Sequence, residues 1–279
     1  MNSLIKEPKE SHKEQLSSFL AHIVQGARTE LYLTPKPGLV DLLDSGSHED
    51  LNLVNMSRSI CLLEEYRAEL VSAKSLDDMV QAGIRAEERM MSLLGTNTHK
   101  GFIFLMGLLT DAYSRCSGIP SLCELSERCA EASASLFKDE REPGSCGAAV
   151  RKEAGIGGIR GECLNGLPTV LDKALPVMFS VYEETDNYPL AAFHCLAKLM
   201  SVTEDSTAVK RCGIEGLTTL RNSGFRLGAL LERGDVPFNE LIDMNEKFKA
   251  INLTMGGTAD LFGITAGLFS SLHRRIIKF

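Results

Sequence analysis

Apolar residues in this chain recur at three- and four-residue steps and almost nowhere in alternation. That period places side chains along one face of a helix, whereas a half-buried strand needs a period of two. Leu76, Val80, Ile84, Met91 and Leu94 form one such row, preceded by Ser75 with Asp78 three residues on, the spacing of a capping box. Leu122, Leu125, Cys129, Ala132 and Leu136 form a second, opened by Ser121 and Glu124. Phe193, Leu196 and Met200 follow Pro189, which suits a first helical turn. Leu31–Thr34 is the single strand candidate, and it runs into Pro35. The expectation is an all-α fold, a single compact domain of about ten helices. Its 279 residues, 44% of them hydrophobic, suffice for a large core.

Charge narrows the partners. The net charge is −7, so no general basic face is available, which argues against nucleic acid. Residues 1–12 read as a loose polar tail ahead of a domain at 13–279, and Met1–Gln15 has no apolar signal-peptide region. The most apolar stretch, Phe102–Leu109, is far shorter than the roughly 18–20 residues a membrane helix needs. A soluble, cytoplasmic protein without a membrane partner is expected. The eight cysteines (61, 116, 123, 129, 146, 163, 195 and 212) form no CxxC and no zinc spacing with His, so they read as reduced core or incidental thiols.

Five polar, Gly- or Pro-containing segments interrupt the helices: Thr34–His48, Gly95–Gly101, Gly155–Pro168, Asp205–Gly216 and Asn252–Asp260. In a helical protein such loops can converge at one end and form a site. In Gly95–Gly101, Asn97 and Thr98 can stop one helix and cap the next, while Lys100 and Gly101 sit in a first turn where unpaired amides and the helix dipole favour phosphate. The plainer alternative is an ordinary N-cap beside a solvated lysine. In Thr34–His48, prolines stiffen the chain around Lys36, and Asp41 and Asp44 are spaced to share one side of a short helix. That segment offers a cation for phosphate and carboxylates for Mg²⁺, or is a capped connector. Glycines around Arg160 and Glu162 suit bidentate phosphate contact, or a surface ion pair. Asp205 reads as an N-cap with Lys210 and Arg211 one turn on. Gly256 and Gly257 open the last helix, with Asp260 in its first turns.

Taken together, these segments resemble the triphosphoribosyl-dephospho-CoA synthase family. The matches are TPKPGLVD with GSH at 34–48, NTHKGFIF at 97–104, RGE with GLPTV and ALP at 160–176, Asp205 with Arg211 and Gly213, and GGTADL at 256–261. Ser206, Thr207, Met255 and Ile159 depart from the family's usual residues. The resemblance implies a transferase that joins ribose C1 of ATP to the 2′-hydroxyl of 3′-dephospho-CoA, keeps the triphosphate and releases adenine. Its product is the prosthetic-group precursor for the acyl carrier subunit of citrate lyase or malonate decarboxylase. On this reading Lys36, Lys100, Arg160 and Arg211 hold phosphates, helped by Gly256 and Gly257. Asp41, Glu162, Asp205 and Asp260 supply the general base, and Asp41, Asp205 and Asp260 are candidate Mg²⁺ ligands. His48, Asn97, Thr98, His99 and Asn252 orient ribose or base. Mg²⁺ is expected with ATP, no organic cofactor is expected, and a homodimer is left open. The alternatives are a related transferase with another acceptor, or a nucleotide-binding relative without catalysis.

Overall fold

The structure is a computed structural model and describes residues 11–138 and 155–273. Most of the expected tail, and Cys146, lie outside the described residues. Eleven α-helices and no strand occur among the described residues. They are α1 (His12–Tyr32), α2 (Leu53–Ser72), α3 (Leu76–Leu94), α4 (Lys100–Ser114), α5 (Leu122–Leu136) and α6 (Gly158–Leu164). A π-helical stretch, Thr169–Ala174, runs directly into α7 (Leu175–Thr185). There follow α8 (Tyr188–Val202), α9 (Ser206–Leu231), α10 (Phe238–Ala250) and α11 (Gly256–Leu272). The strand candidate at 31–34 is instead the end of α1, with Leu33 as its C-cap. Alternation there is too short to compete with a preceding twenty-residue helix that is already nucleated.

Side-chain caps fix most starts. Ser11 and Glu14 form a capping box on α1, and Asn52, Ser75, Ser121 and Asn187 each accept an amide of the helix they open. Gly95, left-handed at φ 74°, stops α3. Thr98 therefore does not cap α4. The N-cap position is His99, and neither α4 nor α11 carries a side-chain cap bond.

The row Leu76–Leu94 does share one face of α3, but that face turns outward. Ile84 and Met91 are 46% and 51% exposed, whereas Met79, Ala82, Ala86 and Met90 are buried. Two interleaved apolar rows let the core take the smaller-residue one, which permits closer approach of α2 and α4.

The core is built around α11, whose one charged residue is Asp260. It packs most extensively on α1 and also meets α4, α7 and α8. Contact with α1 is backbone-close: a Cβ at Gly26 would overlap the Gly263 carbonyl and the Gly267 amide. α8 is sandwiched between α7 and α9, and α2–α3–α4–α5 pack successively. This arrangement aims the N-termini of α4, α9 and α11 at one place.

Candidate active site

That place is a cavity of about 710 Å³. All five polar segments reach its wall: Leu39, Val40 and His48 from the first, Asn97–Gly101 from the second, Ile159 from the third, Ser206, Thr207 and Lys210 from the fourth, and Gly256, Gly257 and Asp260 from the fifth. A smaller cavity of about 270 Å³ adjoins it through Ile159, Ser206 and Gly257 and is lined by Glu162, Thr169 and Lys173. Part of its wall is the π-helical stretch, a conformation that recurs at functional sites.

Three helix starts face the cavity. At α9, Asp205 is fully buried; its Oδ1 accepts the Thr207 and Ala208 amides at 2.9 and 3.0 Å. Its Oδ2 accepts the amide and hydroxyl of Thr258, at 2.7 and 2.9 Å. One carboxylate thus ties the starts of α9 and α11, and α11 presents the amides of Gly256 and Gly257 to the cavity. At α4, Asp260 receives the Phe102 amide and lies against Gly101, where a Cβ would overlap Oδ2. Burial and the carboxylates of Glu30 and Asp205 hold the Asp260 carboxyl well above the usual range.

Lys100 and Lys210 are the exposed cations of the wall, and the Lys100 ammonium stands 3.4 Å from Glu87. Glu87 also accepts from Asn97 at 3.0 Å. His99 is buried, with Nδ1 at 2.7 Å from Ser59 Oγ and 3.1 Å from Thr98 Oγ1. Burial and the Lys36 ammonium push it down to about 4. His48 is pushed down to about 4 as well, by burial and Arg211, and its Nε2 meets Thr254 Oγ1 at 2.8 Å.

Of the residues singled out from sequence, His48, Asn97, Thr98, His99, Lys100, Gly256, Gly257 and Asp260 line the main cavity, and Glu162 lines the smaller one. Glu162 accepts the Thr169 amide at 2.6 Å, yet burial still raises its carboxyl. Six line neither. Lys36 is buried, its ammonium on the Glu30 carbonyl and carboxylate, the latter at 2.7 Å. Asp41 accepts the Lys36, Leu43 and Asp44 amides of its own loop. Asp205 is engaged as described. Arg211 donates to the Ser47 carbonyl and to Asn252 Oδ1, both at 2.6 Å, and so ties two loops together. Arg160 stacks over Phe137, 4.7 Å from its centroid. These residues build the frame. Sequence reasoning missed Glu30 and Glu87, which lie inside ordinary helical stretches, and passed over Lys210, which faces the cavity where Arg211 does not.

The model of the ATP:dephospho-CoA triphosphoribosyl transferase family matches residues 18–277. A "probable 2-(5''-triphosphoribosyl)-3'-dephosphocoenzyme-A synthase 1" of Salmonella typhi is 31% identical over 87% of each chain. The 2-(5''-triphosphoribosyl)-3'-dephosphocoenzyme-A synthase of Pectobacterium atrosepticum is 31% identical, covering 94% of this chain and 91% of its own. A probable synthase of the same description from Acinetobacter calcoaceticus is 32% identical over 88% and 90%. No solved structure matches the chain. With the family match spanning nearly all of the described helices, the chain belongs to the ATP:dephospho-CoA triphosphoribosyl transferase family.

Proposed function

We propose that the chain transfers the triphosphoribosyl group of ATP to the 2′-hydroxyl of 3′-dephospho-CoA, releasing adenine. The observation that carries this reading is that α11 opens on the cavity with Gly256 and Gly257, ahead of the Thr258 amide that Asp205 takes and with no cap bond from its own N-cap residue, which leaves those two amides for an anion. Gly256 and Gly257, Lys210 and Lys100 hold the triphosphate. The bond from ribose C1 to N9 of adenine breaks, and a bond from C1 to the acceptor oxygen forms. The transition state has oxocarbenium character. The hydroxyl proton must leave and the departing base must gain one.

Asp260 is the carboxyl on the main wall placed to handle that proton, because it holds a proton to higher pH than an ordinary carboxylate does. Glu162 faces the adjoining cavity, which we assign to the acceptor's side. Asp41 and Asp205 are saturated by amide donors and position loops and helices rather than touching substrate.

Mg²⁺, an ion that prefers phosphate, carboxylate and water oxygens, would be shared between the triphosphate and the wall. The donor set of the wall fits such sharing: Glu87 offers a carboxylate there, and no cluster of three or more acidic, His or Cys ligands occurs among the described residues. When bound, the ion neutralises phosphate charge. The product serves the acyl carrier subunit of citrate lyase or malonate decarboxylase. The reading carries with it a cytoplasmic location, where ATP is available; no helix among the described residues is long and apolar enough to cross a membrane. If two copies pair, the outward apolar row of α3 is the face on offer.

The test is chromatography of the purified full chain with ATP, Mg²⁺ and dephospho-CoA. Adenine should appear with both substrates present and not with ATP alone. Adenine release that ignores the acceptor would rule out the transfer.

A further inference from the structure

We propose that Glu30 takes the proton from the acceptor's 2′-hydroxyl, held in place by Lys36, and that Asp260 gives a proton to the departing adenine. The inference rests on the reading of this cavity as the site of triphosphoribosyl transfer and divides its two proton steps between two carboxyls.

Three carboxyl side chains line the main cavity: Glu30, Glu87 and Asp260. Glu87 stands with Lys100 and Asn97. Glu30 and Asp260 come together through the antiparallel packing of α1 on α11. His22 Nδ1 lies 2.9 Å from Ser270 Oγ, and Gly26, one turn on, lies against Gly263. A further turn along α1, and one back along α11, sets Glu30 level with Ala259 and Asp260, and all three line the wall. Lys36 forms an ion pair with Glu30: its wholly buried ammonium donates to Oε1 at 2.7 Å and also to the Glu30 carbonyl. Glu30 Oε2 accepts from no donor among the described residues, and it is not sealed from solvent.

A buried ion pair adds little stability over well-packed apolar residues, so stability alone is a weak reason for one here. Its neighbour is in the opposite state. Burial and the charges of Glu30 and Asp205 keep the Asp260 carboxyl protonated well above the usual range. Two adjacent carboxyls, one charged and one neutral, are the arrangement of a base beside an acid. In the transfer the acceptor's O–H bond breaks and its proton goes to Glu30 Oε2. The oxygen's electron pair forms the bond to ribose C1. The C1–N9 pair leaves with adenine, which takes the Asp260 proton. A proton passing from Glu30 to Asp260 then restores both, so the acceptor's proton ends on adenine and the charges balance.

Kinetics of the full chain with ATP, Mg²⁺ and dephospho-CoA, read as adenine release, test this beside calorimetry of ATP with Mg²⁺. Glu30→Gln should lower kcat about a hundredfold or more, while the KM for dephospho-CoA and the affinity for ATP move less than about threefold. Glu30→Asp, which keeps a carboxylate, should retain more turnover than Glu30→Gln. Added formate should raise the kcat of Glu30→Ala about tenfold or more without moving its melting temperature. Where Glu30→Gln alone unfolds, the double variant Glu30→Gln/Lys36→Met, which removes the buried charge as well, carries the same expectation. Near-normal kcat in either variant overturns the proposal. ATP affinity lost in step with kcat overturns it in favour of a metal or phosphate contact, and a rescue that tracks the melting temperature overturns it in favour of a structural ion pair. A wild type that releases no adenine strikes the transfer itself, whereas an active wild type beside an equally active Glu30→Gln strikes this assignment alone.

Discussion

Asp205 Oδ2 receives both the amide and the hydroxyl of Thr258, at 2.7 and 2.9 Å, while its Oδ1 caps α9. A single buried carboxylate so sets the spacing between two of the three helix starts that face the cavity. Replacing it removes a cap and strands buried donors together. Asp205→Ala should cost about 3 kcal/mol and lower the melting temperature by roughly 10 °C. Thr258→Val keeps the amide donor and should cost about 1 kcal/mol. Thermal unfolding of both variants checks the order.

Lys210 and Arg211 are neighbours with opposite assignments. Lys210 lines the cavity, and Arg211 ties Ser47 to Asn252. Lys210→Ala should raise the KM for ATP about tenfold with little change in melting temperature. Arg211→Ala should lower the melting temperature by a few degrees, as expected for about 1–2 kcal/mol of lost charge-assisted hydrogen bonding at a partly exposed site. Paired kinetics and melting curves separate the two, and interchanged effects would contradict the assignment.

Gly101 has no room for a side chain because Asp260 lies against it. The obstruction is the end of a side chain, so Gly101→Ala should fold and displace the carboxyl. The expected result is a helical spectrum like that of the wild type with turnover reduced about a hundredfold or more, the scale of a lost proton-transfer group. Near-normal turnover would remove Asp260 from the reaction.

The buried His99 gives a pH signature. Its folded value, about 4, lies below the ordinary 6.5, so between them the unfolded chain binds more protons. Stability therefore rises with pH through that window and is lost as pH falls from 6.5 toward 4. Across it the wild type should lose roughly 3 kcal/mol more than His99→Phe. Asp260 acts with the opposite sign in both proteins and cancels from the difference. Denaturant titrations at several pH values read it, and parallel curves would contradict a neutral, buried His99.

Much of this was legible in the sequence. Caps at Ser75, Ser121 and Asp205 and the three-to-four spacing announce helices because those signals are local. The convergence of five loops was legible through their composition and order. The inward row of α3 was not, because Met79, Ala82, Ala86 and Met90 repeat as regularly as Val80, Ile84 and Met91. Tertiary packing alone chooses between two such rows. The choice of Lys210 over Arg211 depends on helix rotation, which spacing does not specify. Glu30 and Glu87 reach the cavity from helix interiors, where a glutamate carries no local signal. The roles of Lys36 and Asp41 were hidden for a related reason: polar residues in a Pro/Gly loop look alike whether they grip a ligand or their own backbone.

The most direct test follows two labels in one reaction, ATP carrying one on the γ-phosphate and another in the adenine ring, incubated with dephospho-CoA. Transfer at the anomeric carbon predicts that the phosphate label moves onto the dephospho-CoA product while the ring label appears as free adenine, in equal amounts. Phosphate or pyrophosphate released with the ring label still on the nucleotide would contradict it.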